Sequence, residues 1–575
     1  MKKLNFAMLV VVGLATLALI NACSKSFLKK DSLGTLDEST LANKEGVEGL
    51  LIGAYSQLNG FHGAFEGWFA TPSNWAFGGV SSDDAYKGSD ASDGTLDVGV
   101  LENHTVTSSN VAVAQKWGAS FDGVGKCNIV LQFIPKATDI PADEINNLIG
   151  QARFLRGLYH FELKKVFNMV PYIDETVSYS AGNYNVPNNK DIWPNIEADF
   201  QYAADNLPAT QEQAGRANSW AAKAFLAKAY MFQKKYAEAK PLLEDIIANG
   251  TTTTGIKYAL VDHFNDNFNA ETENNSESVF QIQYSVNDGS SGENGAKGDV
   301  LNFPYAGPGG CCGFYQPTQN LVNAYRVDAA GLPLFTTFNN TDVKNDQGLK
   351  SSDAFTPESA FLDPRLDWTV GRRGIPYLDW GPHPGQDWIR DQAYGGPYTP
   401  IKNSYYHRQE GTLTDKNFWS TGITANNYNV IRFADVILWS AECEAEIGTP
   451  ANAKDLVNMV RTRAANPAGW VQGSPANYKI GLYTSFPSQE YARAAVQFER
   501  RLELAMEGHR FFDLVRWNIA APVLNAYLAK EKTLRNYLQS AVFIEGKNEY
   551  FPIPQAEIDQ SQVNGAATLT QNPGY

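Results

Sequence analysis

The segment Pro308-Gly-Gly-Cys-Cys-Gly-Phe-Tyr315 sets two thiols side by side between glycines. Neighbouring Cα atoms sit about 3.8 Å apart, below the roughly 4.4–6.8 Å usual for a disulfide, so joining them takes an unusual backbone that flanking glycines permit. Closed, Cys311–Cys312 is a rigid, sulfur-faced apolar plate on a loop, a shape suited to stacking on a sugar ring. Two other states stay open at this point: a pair of free thiols, or separate bridges to Cys127 and Cys443. Both of those lie on apolar helix faces and read as buried thiols, which favours the vicinal bridge.

Around such a plate the loop-rich tracts offer partners. Trp75, in Asn74-Trp-Ala-Phe-Gly-Gly, is a candidate stacking ring. Asp83 and Asp84 can accept from vicinal hydroxyls, Arg372 or Arg373 can donate a fork of N–H groups, and Tyr405 and Tyr406 follow a Gly/Pro-rich turn that would close the side. As a set these residues, with Cys311 and Cys312, are the expected ligand site.

A second cluster resembles acid/base machinery. Glu499, Glu503, Glu507, Arg500, Arg501, His509, Arg510, Asp513 and Arg516 crowd one stretch near the C-terminus. In an amphipathic helix such charges pair at i,i+4 or across a hairpin, so their expected role is to lock the last helices onto the scaffold. No catalytic residue is assigned. The histidines show no H-x-x-x-H metal pair, no G-x-S-x-G elbow is present, and Gly123-Val-Gly-Lys126 lacks the phosphate-loop spacing. No cofactor is expected, and no EF-hand spacing supports a structural calcium ion. A secreted glycoside hydrolase would need two flanking carboxylates, which are abundant, but no barrel pattern of alternating strands and helices carries them.

The N-terminus sets the compartment. Lys2 and Lys3 precede an apolar run from Phe6 to Ile20, short of the roughly 20 residues of a transmembrane helix and right for a signal peptide. It ends in Leu19-Ile20-Asn21-Ala22-Cys23, which resembles a lipobox, so Cys23 is the expected lipidation site; plain secretion with cleavage near Ala22 is the alternative. Formal charge is −15, and −17 without Lys2 and Lys3, which repels phosphate backbones and argues against nucleic acid. Aromatic residues reach 12%, and exposed rings can bind the C–H face of a sugar, although for any single ring the core is the better assignment.

Helical spacing dominates Leu41 to Leu58, Val111 to Pro135, Glu144 to Phe167 and Trp193 to Asn249. Within the last, Ser219 to Gln233 and Tyr236 to Ala248 form a hairpin with tetratricopeptide-like packing positions, a pattern that returns in Asn429 to Glu446 and Ala451 to Ala464. Between them the chain is rich in Gly, Pro, Asn and aromatics, with one strand-like run, Val279 to Tyr284; Gly60 to Ser109 is a second loop-rich tract. The two tracts are expected to meet. The expected fold is mostly α: a tetratricopeptide-like helical-pair scaffold with long loop-rich insertions and a few short strands. Its parts are a signal peptide (1–22), a lipidated tether (23–40) and one domain (41–575), with scaffold at about 41–250 and 429–575 and the ligand-binding insertion at about 251–428.

Several stretches, in order along the chain, resemble the SusD/RagB family of nutrient-binding outer-membrane lipoproteins. They are Ser81-Ser-Asp-Asp-Ala-Tyr86, Gln151-Ala-Arg-Phe-Leu-Arg-Gly-Leu-Tyr-His-Phe161, Asp363-Pro-Arg-Leu-Asp367, Arg432-Phe-Ala-Asp-Val-Ile-Leu-Trp439, the run Phe498 to Trp517, and Tyr550-Phe-Pro-Ile-Pro554. The resemblance implies a non-catalytic binder of oligosaccharide, or in some branches peptide, seated on a TonB-dependent outer-membrane barrel and facing the cell exterior. One departure is that Ser24-Lys25-Ser26, not acidic residues, follows Cys23.

Overall fold

Apolar spacings of three and four fold most of this chain into antiparallel helices in a computed structural model that describes residues 38–62, 67–416, 420 and 422–575. The signal peptide, Cys23 and nearly all of the tether lie outside the described residues.

The helices begin at readable signals. α1 (Lys44–Ser56), α2 (Val111–Phe133) and α5 (Ser219–Phe232) each start after an asparagine, Asn43, Asn110 or Asn218, whose side chain accepts from a backbone N–H in the first turn. α3 (Ala142–Phe167) buries Leu148, Ala152, Leu155, Tyr159 and Leu163 as its spacing predicts, and much of its other side as well. It packs between α2 and α4 (Trp193–Asn206); α4 packs on α5, and α5 on α6 (Tyr236–Asn249).

After α6 the chain leaves the scaffold and returns as α7 (Phe433–Ile447), which packs directly on α6 and then on α8 (Pro450–Ala464) and α9 (Gln489–Leu504). The neck of this excursion is an antiparallel strand pair, with Ser278 opposite Arg432 and Ile282 opposite Tyr428. The residues from 429 to 432, expected as helix, are therefore strand, because they pair with the outgoing chain. The outgoing strand, Ser278–Ile282, is buried on both faces rather than alternating. Phe280 from this strand meets Phe154 of α3 and Phe225 of α5 at ring-centroid distances of 5.0 and 5.8 Å, so the neck shares the scaffold's core. Each ring so buried contributes on the order of 1.5–3 kcal/mol.

Two further strands join the loop-rich tracts. β1 (Ala85–Gly88) runs antiparallel to Phe314–Pro317, with Tyr86 opposite Gln316 and Gly88 opposite Phe314. The tract before α2 and the long insertion thus meet immediately after Cys312.

The run Phe498 to Trp517 is not one helix. It breaks after α9 at Met506 and Gly508, both with positive φ, and resumes as α10 (Arg510–Arg516). An added Cβ at Gly508 would sit 1.9 Å from the Ser73 carbonyl, so the break is where the first loop tract crosses the C-terminal helices. Among the described residues no helix is long and apolar enough to cross a membrane.

Candidate functional site

Cys311 and Cys312 are joined in a vicinal disulfide across a cis peptide, while Cys127 and Cys443 are buried free thiols. Gly309, Gly310 and Gly313 around the pair all take positive φ, which a side-chain-bearing residue adopts at a cost. Both cysteines are half-exposed, and the loop they sit on is held from below. Cys312 N–H donates to the Leu301 carbonyl at 3.1 Å, Gly313 N–H to Phe303 at 2.9 Å, and Gly309 N–H to the Tyr405 hydroxyl at 3.0 Å.

Three side chains that sequence reasoning did not single out stand around this plate. Tyr305 is 39% exposed. Trp388 lies over the loop's backbone, since a Cβ on Gly307 would sit 2.8 Å from its indole. Arg390 stacks on Tyr305 at 5.3 Å and is steered by Asp90 and Asp93 and by the Ser89 hydroxyl, 2.8 Å away. Nothing in their local sequence marks them as exposed; only the Gly/Pro-rich setting of Trp388 is a signal. A flat sulfur face, two aromatic rings and an anchored guanidinium together offer apolar contact for C–H groups and N–H donors for hydroxyls.

The other expected ligand residues stand behind this surface. Trp75 is fully buried: its Nε1–H donates to the Trp68 carbonyl at 2.8 Å, and its ring packs on Phe314 and Tyr315 at 6.0 and 6.1 Å. It supports the strand that follows the cysteines and has no face free for a ligand. Asp83 and Asp84 are buried too. Arg510 donates to Asp83 at 2.8 Å and Arg501 to Asp84 at 3.0 Å. Burial raises the Asp83 carboxyl, but the Arg501 and Arg510 charges outweigh it and hold the group at about 2. Asp84, beside that ionised neighbour, is pushed up by burial. Arg372 is buried in a two-pronged pair with Asp367, and Arg373 donates to the carbonyls of Ser351 and Asp353. Tyr405 is buried, its ring 5.9 Å from Phe303, so it is a strut for the loop and not a wall of the site. Tyr406 is half-buried, its hydroxyl accepting from the Asn265 amide at 2.6 Å. Of the nine residues, the surface keeps Cys311 and Cys312. For the rest, polar or aromatic character in a loop tract reflected partners inside the protein.

The acid/base-like cluster is a buried lattice of ion pairs. Glu503 accepts from Arg463, Arg432 and Arg365, and Glu499 from Arg365 and Arg461 at 2.7 and 2.8 Å. Most of its partners come from distant segments and, among the described residues, none is an i,i+4 neighbour; within the cluster Asp513 pairs with Arg516 at 2.7 Å and, across the break between α9 and α10, with Arg500 at 3.1 Å, as pairing across a hairpin requires. The lattice reaches the insertion through Lys402, 2.6 Å from Glu507. Every carboxylate in it faces cations, which leaves none poised to move a proton. Among the described residues no group of three or more His, Cys, Asp or Glu is placed to hold a metal ion. Behind Phe303 lies a cavity of about 60 Å³ lined by Asn302, Asp299 and Tyr428. Burial raises Asp299 there to about 6, against the Ser73 hydroxyl that donates to it at 2.5 Å.

Residues 276–575 match the model of the SusD family, and residues 80–231 match a family described as starch-binding, associating with outer membrane. SusD-like protein P2 of Formosa agariphila is 24% identical over 492 residues, covering 83% of each chain. A solved laminarin-binding SusD-like protein superposes with a TM-score of 0.65 at 24% identity, covering 93% of this chain and all of that one. Surface glycan-binding protein A from Bacteroides thetaiotaomicron, in complex with laminarihexaose, gives 0.63 at 22% identity, covering 92% and 99%. At these identities the structural likeness speaks for the fold.

Proposed function

The chain belongs to the SusD family, and from that premise we propose that it captures oligosaccharide at the outer membrane, without cleaving it, on the plate formed by Cys311–Cys312, Tyr305 and Trp388. The observation that carries this is the plate itself: a half-exposed disulfide on a loop pinned by Tyr405 and Phe303, flanked by the exposed Tyr305 ring, the half-exposed Trp388 ring and an oriented Arg390. Relatives of the same fold named for laminarin and glycan binding support the ligand class. The acidic pair Asp90 and Asp93 beside Arg390 favours neutral over anionic sugars.

In this reading Cys23 carries the lipid, the domain hangs outside the cell, and the saccharide passes to a TonB-dependent barrel beneath. Lipid on Cys23 is tested by mass spectrometry of the membrane-extracted protein; an unmodified N-terminus after cleavage at Ala22 sinks that part. The barrel partner is tested by pull-down of the tagged chain from outer membranes, where absence of any large barrel protein in the eluate sinks the delivery step. The ligand class is tested by binding to neutral oligosaccharides, acidic oligosaccharides and short peptides. Peptide binding alone would keep the fold and change the cargo.

A further inference from the structure

Away from the plate, α2, the loop after α3 and the C-terminal segment enclose a cleft of about 500 Å³, within the 300–1,000 Å³ typical of small-ligand sites. Its most prominent feature is a pair of tyrosines in the loop after α3. Tyr179 is 84% exposed and Tyr184 46% exposed, and their ring centroids lie 4.6 Å apart with the planes tilted by 38°. The loop presenting them is tied off: Ser178 N–H donates to Asn183 Oδ1 at 2.9 Å, and the Asn183 amide donates back to the Thr176 carbonyl at 3.1 Å. Two neighbouring exposed aromatic rings at the rim of a cleft form a contiguous apolar patch, a feature that marks interaction sites.

Beside Trp117 and Phe121, the α2 side of the cleft also carries polar groups. His62 Nδ1 meets Asp122 Oδ2 at 2.7 Å, and the imidazole lies against α2 at Gly118, where a Cβ would be 2.3 Å from its Nε2. The tyrosine hydroxyls, Asp122 Oδ1 and the Gln560 amide have no hydrogen-bond partner among the described residues and line or border the same cleft. Alternating ring faces and free donors and acceptors match a sugar, with its C–H faces and equatorial hydroxyls. Because the two tyrosine rings lean on one another with no gap between them, they offer a platform and not a cage, which disfavours a cationic ligand. Asp122 and Glu557 disfavour an anionic one.

We infer that this cleft is a second saccharide site, taking one or two residues of a neutral oligosaccharide on the Tyr179–Tyr184 platform. It shares no residue with the plate. The two are set apart along α2: Asn110, at its start, holds the carbonyls of Leu96 and Asp97 in the tract that flanks the plate, whereas the cleft uses residues 117–122. At 1.5 Å per residue that separation is roughly 10–18 Å along the helix alone. Two sites on one chain would hold a polymer more tightly than either holds a short oligomer.

The test is calorimetry of the full chain with laminarihexaose, maltohexaose, xylohexaose and mannohexaose, repeated on Tyr179→Ala/Tyr184→Ala, on Tyr305→Ala/Trp388→Ala and on the fourfold variant, with melting temperatures measured alongside. The expected result is two sites in the wild type for at least one sugar. The tyrosine pair variant keeps its melting temperature and falls to one site, or weakens roughly tenfold. The fourfold variant binds nothing. A single site lost with the plate variant and untouched by Tyr179→Ala/Tyr184→Ala overturns the inference while sparing the plate. A single site lost only with the tyrosine pair supports the cleft and overturns the plate. No binding of any of the four sugars overturns both.

Discussion

Arg501 reaches across 417 positions of sequence to Asp84: its Nε donates to Asp84 Oδ1 at 3.0 Å, and its Nη2 donates to the Asn320 side chain at 2.8 Å. Asp84 and Asn320 stand at the ends of β1 and of the strand that follows Cys312, and Thr318 N–H closes the same corner on the Asp84 carbonyl at 3.0 Å. One guanidinium on the C-terminal scaffold thus fixes the strand pair from which the plate loop springs. Arg501→Ala leaves a buried carboxylate unpaired and is expected to destabilise the fold by about 3–5 kcal/mol. Urea denaturation measures this, and an unchanged midpoint would contradict the clamp.

The depressed carboxylates set an acid limit. Asp83 and Asp513 are both held at about 2, in each case by arginines that outweigh burial. A folded value below the unfolded one means the unfolded chain binds more protons between about pH 4 and 2, so stability is full above that window and drains away as pH falls through it. Asp299 has the opposite sign. Raised to about 6 by burial, it makes the folded state the better proton binder between about pH 4 and 6, so its contribution falls as pH rises there. Asp299→Asn should flatten that part of the stability–pH curve and leave the limb below pH 4 intact. A curve shifted uniformly at all pH values would refute the assignment.

Trp75 and Trp388 should separate by consequence. Trp75→Ala empties a core position beneath Phe314 and Tyr315 and is expected to cost about 3–5 kcal/mol of stability. Trp388→Ala removes a half-exposed ring and should leave the melting temperature within a degree or two while weakening saccharide binding roughly tenfold. Were Trp388→Ala the destabilising change and Trp75→Ala the silent one, the roles argued here would be reversed.

Thiol titration checks the cysteine pairing. In residues 24–575, unfolding in denaturant without reductant should expose two reactive thiols, Cys127 and Cys443, and reduction should raise the number to four. The native protein should react slowly, because both free thiols are buried and burial pushes them well above the usual thiol range. Four reactive thiols before reduction would mean that the plate is open.

What could be read from sequence follows the reach of each signal. The α3 face and the α5–α6 hairpin depend on residues three or four apart, and such signals are local. The strand at Tyr428–Arg432 was hidden because its helical-looking spacing is overridden by a partner strand about 150 residues earlier. The same limit governs the site. Cys311–Cys312 announces itself by adjacency. Whether Trp75 or Trp388 faces water is decided by the packing of the two loop tracts against the C-terminal helices, which no local pattern encodes. The charges of Asp83, Asp84 and Arg372 signalled chemistry, yet their partners lie in the interior.

The central claim is capture without turnover on the plate, and calorimetry of residues 24–575 against neutral oligosaccharides, with chromatography of the recovered sugar, addresses it most directly. Saturable binding with a dissociation constant of roughly micromolar to millimolar is expected. The sugar should be recovered unchanged, and affinity should be lost in Cys311→Ala/Cys312→Ala and in Tyr305→Ala/Trp388→Ala variants that still melt cooperatively. Shortened oligosaccharides in the recovered sample, or affinity unaltered in both variants, would contradict it.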